Sequence, residues 1–101
     1  MMKVLFHPSA DTEVVDAVQF YETQFPGLGL SLITEIERSL GQLADNPESC
    51  PLIGKNVRRK PLSHFPYNLI YAIQQNTVFI VAVAHQRRRP YYWKKRMKND
   101  Q

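Results

Sequence analysis

Cations and aromatic rings interleave in the second half of this chain. Arg58, Arg59 and Lys60 form one run, and His85, Arg87, Arg88, Arg89, Tyr91, Tyr92, Trp93, Lys94, Lys95 and Arg96 form another. Cations follow phosphates and flat rings stack on bases, so the combination suits single-stranded nucleic acid, with each stacked base contributing about 1–3 kcal/mol. An imidazole, guanidinia and phenols on one surface would also suffice for metal-free cleavage of a phosphodiester through a 2′-hydroxyl. In that chemistry His85 or a tyrosine moves the proton and arginine stabilises the pentavalent charge. The same residues have plainer readings. His85 reads as a strand-end residue bonded to backbone, and Tyr91, Tyr92 and Trp93 read as an aromatic lid over a sheet.

Other chemistries lack their residues. His7, His64 and His85 are far apart and Cys50 stands alone, so no pair has zinc-ligand spacing and neither metal nor cofactor is expected. No elbow motif surrounds Ser9, Ser31, Ser39 or Ser63, and Cys50 lies beside Glu48, which does not favour a thiolate. Gly27-Leu28-Gly29 falls between two helical patterns rather than after a strand, which excludes a phosphate loop.

Composition narrows the setting. A length of 101 residues suits a single domain spanning 1–101, and 44% hydrophobic content is enough for it to fold around one core. With one cysteine there is no intrachain disulfide, so a reducing cytoplasm is expected. The longest apolar run, Val78 to Ala84, falls far short of the roughly 20 residues of a membrane span, and the N-terminal apolar run is too short for a signal peptide. Charge divides sharply at the middle: residues 1–50 hold two bases against eight acids, a net −6, and residues 51–101 hold eleven bases against one acid, a net +10. Such asymmetry marks the second half as the face for a polyanion or an acidic protein, although a charge run can also simply solvate a sheet.

The elements that must position these residues follow from periodicity. Lys3 to Phe6 predicts a short strand stopped by His7-Pro8. Ser9 is then the expected N-cap of a helix in which Val14, Ala17, Val18, Tyr21 and Phe25 share a face, with Asp11, Glu13 and Asp16 near its positive end. Pro26-Gly27-Leu28-Gly29 reverses the chain into a second helix carrying Leu32, Ile33, Ile36, Leu40 and Leu43, which Asn46-Pro47 ends. Asn56 to Lys60 reads as an edge strand guarded by bases and Pro61, and Asn68 to Gln74 with Thr77 to His85 as a hairpin of central strands. Both central strands are apolar on both faces, so one face needs cover from the C-terminal segment or from a partner.

Taken in order, the broken helical hairpin, Leu62-x-x-Phe65-Pro66-Tyr67-x-Leu69-x-Tyr71, and Ala82-Val83-x-His85-x-x-Arg88-x-Pro90-x-Tyr92-Trp93-x-x-Arg96 resemble the ParE-like branch of the RelE/ParE toxins over nearly the whole chain. The resemblance implies an α+β fold, an N-terminal helical hairpin packed on a twisted antiparallel sheet. It also implies the toxin of a type II toxin-antitoxin system, of the kind linked to plasmid stabilisation, held in a hetero-oligomer by a cognate antitoxin. ParE-type members poison DNA gyrase without enzymatic chemistry, and this is the favoured reading, causing growth arrest. The alternative is a RelE-type ribosome-dependent endoribonuclease acting on mRNA, with Arg58, His85, Arg88 and Tyr92 catalytic. For target binding the expected set is Arg58, Lys60, Arg87, Arg88, Arg89, Trp93 and Arg96. Strand alternation adds a geometric expectation: Val57 faces the helices with the stem of Arg59, and Arg58 and Lys60 share the other face with His85 and Arg88.

Overall fold

The computed structural model describes residues 2–98. Along the chain come β1 (Lys3–Phe6), α1 (Pro8–Gln24), α2 (Leu28–Asp45), β2 (Val57–Pro61), β3 (Tyr67–Gln74), β4 (Thr77–His85) and α3 (Lys94–Lys98). The α+β architecture expected from the sequence is present, and the strands lie in the order β1-β4-β3-β2. Antiparallel pairing joins β2 to β3 and β3 to β4, while β1 lies parallel to β4, so the sheet is mixed. The helices carry the chain across one face of the sheet between β1 and the later strands, and such a crossover permits parallel pairing.

Helix α1 starts earlier than its serine suggested. Proline at the first helical position has its φ already set and lacks only an N–H that would be unpaired there. His7 is therefore the N-cap, its Nδ1 accepting the Ser9 N–H at 3.0 Å, and Ser9 lies inside the helix. Two glycines make the reversal that follows. Gly27 has φ 95°, the left-handed region, and a Cβ on Gly29 would lie 2.9 Å from Glu22 Oε1 and 3.1 Å from the Val18 carbonyl oxygen. Glu22 then accepts the N–H groups of Gly27 (3.1 Å) and Gly29 (2.9 Å), placing a carboxylate at the positive end of α2.

Between β3 and β4 the turn has no glycine, and Gln75 carries φ 55°. A side chain in that region costs on the order of 1 kcal/mol, so Gln75→Gly is expected to raise stability by up to about that amount. A urea-denaturation midpoint unchanged or lowered in this variant would count against the strain.

Two packed layers result. Leu32, Ile36 and Leu43 of α2 meet Leu69, Tyr71, Val78, Ile80 and Val83 on one face of the sheet, with Ala10 and Ala17 of α1. On the other face Val57, Ile70, Val81, Ala82 and Ala84 surround Trp93. The register shifts by one residue between Ile70 and Tyr71, whose partners are Ala82 and Ile80, leaving Val81 as the extra residue of a bulge. That bulge lets Val81 and Ala82 both join the second layer and returns Val83 to the first.

Candidate target-binding surface

Cross-strand partners share a face, so the register of β2 decides where its bases point. Arg58 lies opposite Tyr71 and Lys60 opposite Leu69, both of the helix-side core, while Val57 and Arg59 lie opposite Ala72 and Ile70. The expected orientation toward the helices is thus inverted, although His85, opposite Tyr67 of the helix-side core, shares the face of Arg58 and Lys60 as expected. Val57 packs beneath Trp93, away from the helices, and Arg59 rather than Arg58 or Lys60 shares the face of the C-terminal segment. Apolar-polar alternation in a five-residue strand fixes two classes of position but not which class faces which layer. Here the decisive partner, Trp93, lies far along the chain.

Arg58 has a local task. Its Nη1 donates to the Cys50 carbonyl at 2.6 Å and to that of Glu48 at 3.3 Å, pinning the loop before β2 to the sheet. Nearby, the Tyr71 hydroxyl donates to the Pro47 carbonyl at 2.7 Å, and burial raises its pKa well above the ordinary phenol value. His85 lies opposite Tyr67 at the far end of the hairpin, its ring edge-on to that tyrosine with centroids 5.0 Å apart. Its Nδ1 accepts the Arg87 N–H at 3.0 Å.

Past β4 the chain turns and crosses to the second face. Arg88 stacks on Tyr92, with its guanidinium carbon 3.7 Å from the ring centroid. Glu13 of α1, unremarkable in the sequence beyond its place near a helix start, organises this region. β1 ends beside Ile80, leaving the rest of β4 without a neighbouring strand there, and Glu13 reaches that edge. Its carboxylate accepts the Val83 N–H (2.9 Å), the Tyr92 hydroxyl (2.7 Å) and Arg96 Nη1 and Nη2 (3.0 and 2.9 Å), while Arg96 Nη1 also donates to the Val81 carbonyl (3.0 Å). Burial alone would raise the pKa of Glu13, but the Arg96, Val83 and Tyr92 bonds outweigh it and hold the carboxyl below its ordinary value. Tyr92 shifts strongly upward, first through burial and then through the Glu13 carboxylate, so its phenol stays protonated and donating.

The sequence-derived residues therefore separate into groups. Trp93, only 5% exposed, is a core residue, and Arg96, with its side chain 17% exposed, is an internal brace. Arg87, Arg88 and Arg89 are exposed after β4, joined on the surface by Lys94 and Lys95, which the expected target-binding set omitted. Among the described residues no cluster of His, Cys, Asp or Glu could hold a metal ion, and no helix is long and apolar enough to cross a membrane.

This architecture of two helices and a four-stranded sheet is found in two solved structures. One, from the chromosomal ParDE toxin-antitoxin system of P. aeruginosa, is similar with a TM-score of 0.71 at 17% identity, covering 84% of this chain and 96% of that one. The other, the isolated E. coli RelE toxin, is similar with a TM-score of 0.66 at 19% identity, over 100% of both chains. At such identities the likeness establishes the fold alone. The family follows from the sequence: residues 4–90 match the model of the ParE toxin of type II toxin-antitoxin systems (parDE), and the chain belongs to that family. No curated protein matches it.

Proposed function

We propose that this ParE-family toxin acts in the cytoplasm as a single domain, arresting growth by inhibiting DNA gyrase through its exposed C-terminal bases, and is neutralised by an acidic cognate antitoxin. The observation that carries the non-enzymatic reading is that two members of the nuclease set, Arg58 and Tyr92, are engaged inside the fold. Arg58 is on the helix side, bonded to loop carbonyls, Arg88 stacks on Tyr92, and the Tyr92 hydroxyl is engaged by Glu13. A general acid or base must be free to move its proton, and the Tyr92 hydroxyl, kept protonated and donating to Glu13, is not, while Arg58 is committed to the Cys50 and Glu48 carbonyls. Arg87, Arg88 and Arg89 remain available to an acidic or DNA-bound surface.

Purified toxin is expected to block gyrase supercoiling and trap cleaved DNA. Reversing charge in R87E/R88E should raise the concentration needed by about tenfold or more, since rim charges set encounter and orientation. The Arg88–Tyr92 contact favours one second reading, the ribosome-dependent endoribonuclease. Supercoiling untouched at large toxin excess, together with mRNA cut only in the presence of ribosomes, would replace the gyrase reading with that one.

A further inference from the structure

Between α3 and the loop preceding β2 runs a groove of about 1250 Å³ whose walls include Lys55, Arg89, Lys94 and Lys95, with Tyr91 and Trp93 among its aromatic residues. Among the described residues no carboxylate lines it. We propose that this groove binds a short stretch of single-stranded DNA, the cations following phosphates and Tyr91 stacking on a base. The choice of DNA rests on the gyrase reading; the groove's chemistry does not.

Tyr91 is 51% exposed, so much of its ring is free to stack. It is also held in place: its hydroxyl donates to the Ile53 carbonyl at 3.1 Å, and its ring lies 5.5 Å from that of Trp93 at 53°. Its φ of 62° is a conformation that costs a non-glycine residue on the order of 1 kcal/mol, and such strain concentrates at binding sites. Paired bases in a duplex are already stacked on both sides, so an open ring selects single strands. An acidic peptide would find less. The Ile53 N–H donates to the Val57 carbonyl at 2.8 Å and the Ile53 carbonyl is taken by Tyr91, so this wall offers no free Ile53 backbone group for a β-strand to pair with.

Fluorescence anisotropy of a labelled oligo-dT with the purified full chain, without gyrase, tests this directly. If four cations each release one counterion, log K should fall with log salt at a slope of about −3. K94E/K95E, both exposed positions, should weaken binding at least about tenfold and shrink the slope by about half. Tyr91→Asn, chosen because asparagine tolerates positive φ, should weaken it by about tenfold while leaving the slope unchanged. Circular dichroism confirms folding in each variant, with K94A/K95A replacing the reversal if it misfolds. Absence of salt-dependent binding, full binding by K94E/K95E, preference for duplex DNA or oligo-rU, or displacement by a polyglutamate peptide at lower concentration would each overturn the proposal. R87E/R88E in the supercoiling assay reads the gyrase hypothesis separately, so either can fail alone.

Discussion

Replacing Trp93 with alanine is expected to remove about 3–5 kcal/mol of unfolding stability, a large part of what a domain of this size possesses. Trp93 is 5% exposed and packs with Val57, Ile70, Val81, Ala82 and Ala84, a layer that contains no residue of α1 or α2. Small alanines at two of those positions shape a recess that the indole fills, and nearby side chains cannot collapse into the space it would leave. Trp93→Phe keeps most of the apolar volume and should cost less than half as much. Urea denaturation followed by far-UV circular dichroism measures both. A loss under about 1 kcal/mol for Trp93→Ala would mean that the lid is not part of the folded core. As the chain's single tryptophan, Trp93 also reports its own burial by fluorescence in the wild type. Loss of toxicity in Trp93→Ala would accordingly report unfolding of this layer rather than a missing contact with the target.

The regular elements were legible where local pattern and tertiary demand agree. Thr77 to His85 is β-branched and apolar on both faces and is a strand of that extent, and the apolar stripe Leu32, Ile36, Leu43 lies in the core as helical spacing requires. Pro8 shows how one residue moves a boundary: as a first-turn proline it starts the helix itself, and the cap falls to His7 instead of Ser9. That the doubly apolar hairpin needs a second layer was also legible. Which segment provides it was not, because five residues of α3 show too little periodicity to separate a docked helix from an arm.

The site was less legible than the fold for one physical reason: its decisive contacts join distant residues. Glu13 meets Val83 and Arg96 across separations of 70 and 83 residues, and nothing near Glu13 marks it as more than an acid near a helix start. Arg96 looked like a free binding group, and Trp93 like either that or a lid over the sheet, because an unpaired sequence position shows charge and ring but not partner; the lid is the reading Trp93 follows. Arg58 was misplaced for the same reason, since its Cys50 and Glu48 carbonyl partners become visible only once the loop is folded against β2. What survived was coarser, namely that the basic C-terminal half presents a cationic surface. The exposed Arg87, Arg88, Arg89, Lys94 and Lys95 form it.

Glu13→Ala is expected to cost about 2–3 kcal/mol, because it strands the Arg96 guanidinium, the Tyr92 hydroxyl and the Val83 N–H together, with water recovering part of the loss at a site this near the surface. Tyr92→Phe removes one neutral donor and should cost only about 1 kcal/mol. The charge itself is read by pH. Burial opposes ionisation of Glu13, but the bonds from Arg96, Val83 and Tyr92 prevail, so its folded pKa lies below the ordinary carboxylate value of 4.5. The folded state therefore binds fewer protons than the unfolded one in that range. Its contribution is present in full above about pH 5 and disappears as pH falls through the folded value. Glu35 acts with the same sign: burial is again the largest influence and opposes ionisation, and the Ser63 and His64 N–H groups and the His64 side chain outweigh it. Glu13→Gln should consequently be less stable than wild type at neutral pH yet lose less of its stability on acidification, and E13Q/E35Q should flatten the acid limb further. Urea midpoints taken between about pH 3 and 7 supply the comparison. If E13Q and wild type fall in parallel across that window, the Glu13 carboxylate is not the charge that ties the C-terminal segment to the edge of β4.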